Sequence, residues 1–213
     1  MRIRFSLWTL LLLIMLAALG LAWQRIRSQN VRLEVDIAAM RRIARELRVE
    51  DPTQIAIVAR KPTMPGELIH DIYIPPTPSG HKIFVALEGI LGHPPGTPSH
   101  PAPNATAELT PGKHAIDIQH NQSRDAEGVT ENEIVILVDG APVIEMHRPE
   151  DWVPSGGWSS MGSYNESKSF SPDEPLDIHR RRFHKPTSPN SSRSMPNSEP
   201  ANGILVWIEP AST

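Results

Sequence analysis

The chain has 213 residues, 22 of them proline, no cysteine and a formal net charge of −3. The absence of cysteine excludes disulfides and thiolate metal sites, and the proline clusters argue against long helices beyond residue 51. Charge is uneven, because residues 1–50 hold nine arginines against four acidic residues. Residues 51–213 are therefore acidic, which argues against nucleic acid as a partner.

The first predicted element is an apolar segment, residues 5–23, which follows a short tail, residues 1–4. Its nineteen uncharged residues would span roughly 28 Å as a helix, close to the hydrocarbon core of a bilayer at about 30 Å. We therefore predict a transmembrane helix with the lipid bilayer as its partner. A cleaved secretory signal peptide is the alternative. The length of the segment and the arginines after it favour an uncleaved signal-anchor.

The direction of insertion depends on charges at both ends of this segment. Arg2 and Arg4 precede it, whereas Arg25, Arg27 and Arg32 follow it, and these two groups compete under the positive-inside rule. Long domains cross the membrane largely regardless of their charge. We therefore expect a single-pass membrane protein whose carboxyl-terminal domain is extracytoplasmic.

Residues 24–50 have the periodicity of an amphipathic helix, which we interpret as a stem after the membrane segment. The predicted seam of a coiled coil is Ile26, Asn30, Leu33, Ile37, Met40 and Leu47. A homodimer through residues 24–48 would bury this stripe, with Asn30 fixing the register. The same stripe is also compatible with packing on the chain's own domain or with lying in the membrane interface.

Short strands separated by turn residues follow, and they predict a β-rich domain over residues 51–213. The predicted strands are Gln54–Arg60, Leu68–Ile74, Lys82–Leu91, Asn104–Leu109, Lys113–His120, Leu176–His184 and Gly203–Glu209. The last is a continuous apolar run, typical of a central strand. A further pair of strands, Glu133–His147, surrounds Asp139-Gly140, a dipeptide that favours a two-residue type I′ hairpin turn.

The pattern as a whole is typical of a mainly β fold. We predict an antiparallel β-sandwich, jelly-roll or immunoglobulin-like, preceded by the transmembrane helix and the stem. Loop 92–103 is rich in proline, and loop 185–202 has too little apolar surface to hold a fixed structure, so we predict that it is disordered. Residues 151–171 are predicted to be irregular.

No motif for catalysis or cofactor binding stands out. The chain has no cysteine nucleophile, no Gly-x-Ser-x-Gly elbow and no phosphate-binding loop. His114 and His120 would lie about 20 Å apart along one strand, too far to share a zinc ion. We therefore predict no enzyme activity, no catalytic residue, no metal and no cofactor.

Three aromatic residues, Trp152, Trp158 and Tyr164, lie among small polar residues and are candidates for contact with a ligand or partner. Their alternative role is to cap the core. Nearby, strand alternation would place Arg180 and Arg182 on one face of the sheet and Arg181 on the other.

The segments RFSLWTLLLL, IYIPPTPSG and LTPGKHAIDI resemble pieces of single-pass bacterial membrane proteins of unassigned function that carry a β-rich extracytoplasmic domain. The resemblance implies an anchored domain and no catalytic residues. The leading hypothesis is a membrane-anchored, non-catalytic protein for envelope assembly or protein–protein contact. A membrane-tethered glycan-binding module and an extracytoplasmic hydrolase with an unrecognised site are the alternatives.

Overall fold

The computed structural model of the chain describes residues 7–61, 68–92, 100–124, 130–154, 157–161, 164–184 and 199–211. The predicted tail 1–4, most of the proline-rich loop 92–103 and most of loop 185–202 lie outside the described residues. The chain divides into two compact units, residues 1–44 and residues 45–213.

The described residues of the first unit form a single helix, α1 (Leu7–Ala44), which runs without interruption from Leu7 in the predicted membrane segment through most of the predicted stem. It includes a stretch, Leu10–Glu34, that is long and apolar enough to span a membrane. The helix ends at Ala44, where Arg45 adopts a left-handed backbone with φ of 51°. It is therefore shorter than the predicted stem, and Leu47 lies beyond it in an irregular segment.

That irregular segment is the start of the second unit, and two hydrogen bonds between the backbone of Arg48 and the side chain of Ser167 hold it in place. The amide of Arg48 donates to Ser167 Oγ at 3.0 Å, and the same hydroxyl donates to the carbonyl oxygen of Arg48 at 3.0 Å. The side chain of Ser167 thus forms hydrogen bonds with both backbone groups of Arg48. Without Ser167, these groups would need water as their hydrogen-bond partner.

Within the described residues, the second unit has strands in two sheets, and every pairing is antiparallel. The strands are β1 (Ile55–Ala59), β2 (Ile69–Ile74), β3 (His81–Ala86), β4 (Ala105–Leu109), β5 (Gly112–Arg124), β6 (Thr130–Val138), β7 (Ala141–Pro149), β8 (Trp158–Met161), β9 (Lys168–Phe170), β10 (Leu176–Phe183) and β11 (Gly203–Pro210). Sheet 1 has the order β7-β6-β5-β2-β1-β9, and sheet 2 has the order β4-β3-β11-β10-β8.

The hairpin prediction is confirmed in detail. Asp139 and Gly140 join β6 to β7 with φ angles of 54° and 81°, the positive values that a type I′ turn requires. Pro142 lies on the edge strand β7 next to a register shift in the β6–β7 ladder, where a missing amide hydrogen is tolerated. Strand β11 is central in sheet 2, as its continuous apolar run predicts.

Several strand predictions differ from the structure in their bounds, including the hairpin, where β6 begins at Thr130 and β7 ends at Pro149. Strand β3 ends at Ala86 instead of Leu91, and β5 extends to Arg124 instead of His120. The region predicted to be irregular contains two short strands, β8 and β9, which form the outer edges of the two sheets. Their Ser-rich sequences have weak local strand preference, so pairing with β10 and β1 determines their conformation.

The two sheets share one apolar core. Its buried isoleucines and valines come from both sheets, for example Ile57, Ile72 and Ile118 in sheet 1 and Ile83 and Val206 in sheet 2. Sheet 2 also carries a second cluster on its outer face, formed by Ala86, Ile90, Leu205 and Trp207 with Phe84 packed against it. Sheet 2 is therefore covered on both faces, which accounts for the unbroken apolar sequence of β11.

Candidate functional site

Trp152 belongs to the core. It is 5% exposed, its ring meets that of Phe183 edge to face at 5.0 Å, and its indole Nε1 donates a hydrogen bond to the carbonyl oxygen of Leu87. An indole with its polar atom satisfied inside the protein serves packing, because no ring face remains for a ligand. This is the capping role that the sequence left open for the residue.

Tyr164 links the two sheets. Its hydroxyl donates to the carbonyl oxygen of Asp177 on β10 at 2.6 Å, and its own carbonyl oxygen accepts from the amide of Ala59 on β1 at 2.7 Å. The ring packs on Phe170. Burial of the phenol raises the pKa of Tyr164 to about 12, so the hydroxyl stays a donor at physiological pH.

Trp158 is the member of the aromatic trio that faces solvent. It is 60% exposed at the start of β8, the edge strand of sheet 2. The guanidinium of Arg181 lies 4.8 Å from the centre of its ring, within the range of a cation–π contact. The structure thus separates the three aromatic candidates into two that pack or bridge and one that is accessible.

The predicted seam of the stem is also accessible. Ile26, Leu33, Ile37 and Met40 are between 41% and 60% exposed along α1, and Asn30 is exposed between them. Leu47, the sixth seam residue, lies after the end of the helix and does not continue the stripe. Five residues of the predicted seam therefore lie on α1, with alternating spacings of four and three.

A buried ionic network on the outer face of sheet 2 was not predicted. Arg180, which is 4% exposed, donates from Nε and Nη2 to Asp177 Oδ2 at 3.1 and 2.6 Å, and from Nη1 to the carbonyl oxygen of Leu91. His100 Nε2 lies 2.7 Å from Asp177 Oδ1, and the His100 ring stacks on Trp207 at 4.8 Å. The network attaches His100 to the outer face of sheet 2.

The network depends on a bulge in β10. Asp177 and Arg180 are three residues apart, so a regular strand would place them on opposite faces. The ladder with β11 shifts register between Asp177 and His179, which brings the two side chains to the same face. Burial raises the pKa of Asp177, but hydrogen bonds from His100 and Arg180 outweigh it, and the net shift is downward.

A second histidine–aspartate pair lies at the β6–β7 turn and bears on the hydrolase hypothesis. His114 Nδ1 lies 2.7 Å from Asp139 Oδ2, and its Nε2 lies 3.4 Å from Thr110 Oγ1, an outline similar to a nucleophile–base–acid triad. However, the same Nε2 is 2.8 Å from the carbonyl oxygen of Thr110, which only accepts hydrogen bonds. Because His114 Nε2 donates its hydrogen to this carbonyl oxygen, it cannot also accept the proton of the Thr110 hydroxyl. His114 therefore has a structural role, in which it connects the turn at Thr110 to the turn at Asp139.

The outer face of sheet 1 carries an acidic cluster with one imidazole. Glu133, Glu145 and His147 each place one potential ligand atom within 4.8 Å of the others, and Glu131 lies 3.8 Å from His147 Nδ1. Carboxylates and imidazole are donors that divalent cations accept. Glu131, Glu145 and His147 are about half exposed and solvated, so we assign no metal to the cluster.

Comparison with known proteins adds no relative: no family model matches the chain, and neither a curated protein nor a solved structure matches it. Its candidate sites therefore rest on their own geometry.

Proposed function

We propose that the chain is a single-pass membrane protein that presents a non-catalytic β-sandwich outside the cytoplasm, for envelope assembly or protein–protein contact. Helix α1 is about 57 Å long at 1.5 Å per residue, nearly twice the roughly 30 Å core of a bilayer. The apolar stretch Leu10–Glu34 extends into the arginine-bearing half of the helix, but residues 7–23 contain no charge and residues 24–44 contain five arginines, so we propose that residues 24–44 form a stem in water.

The observation that carries the proposal is the exposed apolar stripe on this half of α1. Four large apolar side chains and Asn30 recur at four- and three-residue intervals, the spacing of a two-helix seam. Exposed apolar side chains at seam spacing gain free energy by meeting a second helix, at about 25 cal/mol per Å² buried. We propose that this second helix is α1 of another copy of the chain, which lies parallel to the first in the same membrane.

The test uses single cysteines, because the chain has none of its own. Leu33→Cys lies in the seam. Val31→Cys is the matched control, since Val31 is equally exposed but lies about 200° around the helix from Leu33. In native membranes under mild oxidation, we expect disulfide-linked dimers for Leu33→Cys and few for Val31→Cys. Equal crosslinking of both variants, or none at position 33, would contradict the seam.

The proposed side of the membrane is tested separately. In cells whose outer barrier is opened but whose cytoplasmic membrane is intact, added protease should digest residues 51–213. A cytoplasmic protein provides the control for membrane integrity. Protection of the β domain until the cytoplasmic membrane is broken would refute the extracytoplasmic placement and leave the seam unaffected.

A further inference from the structure

The inner face of sheet 2 is open at its edge, where three side chains form a shelf that we call the β8 shelf: Trp158 and Ser160 on β8 and Arg181 on β10. Ser160 is directly opposite Arg181 in the antiparallel ladder, and Trp158 is opposite Phe183, so all three side chains project from the same face. Trp158 and Ser160 are exposed, and Arg181 is partly exposed. The shelf is therefore accessible from solvent.

Arg181 is a cation without a counter-charge on this shelf. Its Nε is buried and makes no hydrogen bond to any described residue, and its guanidinium forms no salt bridge within the described part of the chain. Burial lowers the pKa of Arg181 but leaves it charged. On the opposite face, Arg180 is neutralised by Asp177, and Arg182 donates to the carbonyl oxygens of Ile90 and Glu199.

A second polar group on the same face also lacks a partner. His179 precedes Arg181 by two residues on β10, is 3% exposed, and its Nε2 makes no hydrogen bond among the described residues. Burial, with the charge of Arg181 as a smaller cause, lowers the pKa of His179 to about 3. The ring is therefore neutral at physiological pH and adds no charge to this face of β10. Buried polar atoms are rarely left unsatisfied unless a ligand or water serves them.

We propose that the β8 shelf binds a carboxylate-bearing saccharide. The guanidinium supplies paired donors for a carboxylate, the indole offers an apolar ring on which a sugar can stack, and the Ser160 hydroxyl can bond to a sugar hydroxyl. An acidic peptide would use the arginine equally well. The exposed indole favours the saccharide, because a pyranose presents a flat apolar face together with its hydroxyls.

The experiment measures binding by calorimetry to the full chain in a neutral detergent. The probe is the tetramer of galacturonic acid, and its fully methyl-esterified form is the uncharged control with the same rings. We expect the acid to bind and the ester to bind at least about tenfold more weakly, because a charge-assisted pair is lost. Trp158→Ala and Arg181→Met should each weaken binding of the acid by a similar factor. Arg48→Gln, an exposed arginine elsewhere, should not change it.

A second variant keeps the test decisive if Arg181→Met fails to fold. Ser160→Asp places a carboxylate opposite Arg181 on an exposed position, so it should occupy the guanidinium and abolish binding while preserving thermal stability. Ser160→Asn is its neutral control and should retain binding. No binding of the acid, equal binding of acid and ester, or unchanged binding by Ser160→Asp would overturn the proposal. Tighter binding of tetraglutamate through Arg181 would overturn the saccharide assignment.

Discussion

Replacing Asp177 by Asn tests whether the buried network stabilises the β domain. The carboxylate accepts three hydrogen bonds, two from Arg180 and one from His100. The side chain introduced by Asp177→Asn would keep one acceptor oxygen but would carry no charge. A hydrogen bond to a charged group stabilises a fold by about 1 kcal/mol more than one to a neutral group. The expected loss is about 3 kcal/mol, at the lower end of the cost of removing one partner of a buried ion pair.

Urea unfolding of the full chain in detergent, followed by tryptophan fluorescence, measures this loss. For a domain of this size, about 3 kcal/mol corresponds to a fall of roughly 6 to 12 °C in Tm. Asp173→Asn is the control, because Asp173 is exposed. A loss below about 1 kcal/mol for Asp177→Asn would refute the reasoning, since Arg180 would then need no counter-charge despite its burial.

The same network predicts a pH dependence. The folded-state pKa of Asp177 is lower than the ordinary value of 3.8, so its ion pair stabilises the fold fully above about pH 4. This contribution is lost as pH falls through the lowered pKa. The unfolding free energy of the wild-type chain should therefore converge on that of Asp177→Asn in strong acid. If the unfolding free energies of the two chains, plotted against pH, stayed parallel down to about pH 2, the carboxylate of Asp177 would not be the titrating group.

Three further predictions concern the packing of sheet 2, the hairpin and the core. Gly203→Ala should cost about 3 kcal/mol in urea unfolding, because a Cβ would overlap the carbonyl oxygen of Arg181, whereas Gly20→Ala, at an open position in α1, should not lower the unfolding free energy of the β domain. Gly140→Val should cost about 1 to 2 kcal/mol at its φ of 81°, and Gly140→Asn should cost less; equal costs would contradict the turn type. His179, with its pKa near 3, should make the fold about 2 kcal/mol less stable at pH 5 than at pH 7, since only the unfolded imidazole binds a proton in that range. His179→Leu should remove that difference, and an unchanged pH profile would refute it.

Local signals in the sequence predicted most of the second unit correctly. Asp139 and Gly140 determine their turn because positive φ angles are accessible to few residues, and the apolar run of β11 indicates burial on both faces. Strands β8 and β9 were missed, because four and three residues of mainly Ser, Lys and aromatic character form strands only where a neighbouring edge provides hydrogen bonds.

The candidate sites were less predictable. Trp152, Trp158 and Tyr164 have similar sequence surroundings, but only distant partners decide that the first is buried, the third bridges two sheets and the second faces solvent. The burial of a side chain depends on the whole fold, and the local sequence does not show which strand lies at the edge of a sheet.

The long apolar helix, the seam spacing on α1, the strand-rich second unit and its hairpin could be predicted from the sequence, because each follows from periodicity or backbone preference over a few residues. The partners of the three arginines on β10 depend instead on the packing of the whole domain. Alternation alone separates Arg181 from Arg180 and Arg182, but the bulge between Asp177 and His179 gives Arg180 its carboxylate. Among the described residues, Arg181 has no carboxylate partner, and the pairing of β8 with β10 brings the exposed Trp158 alongside it.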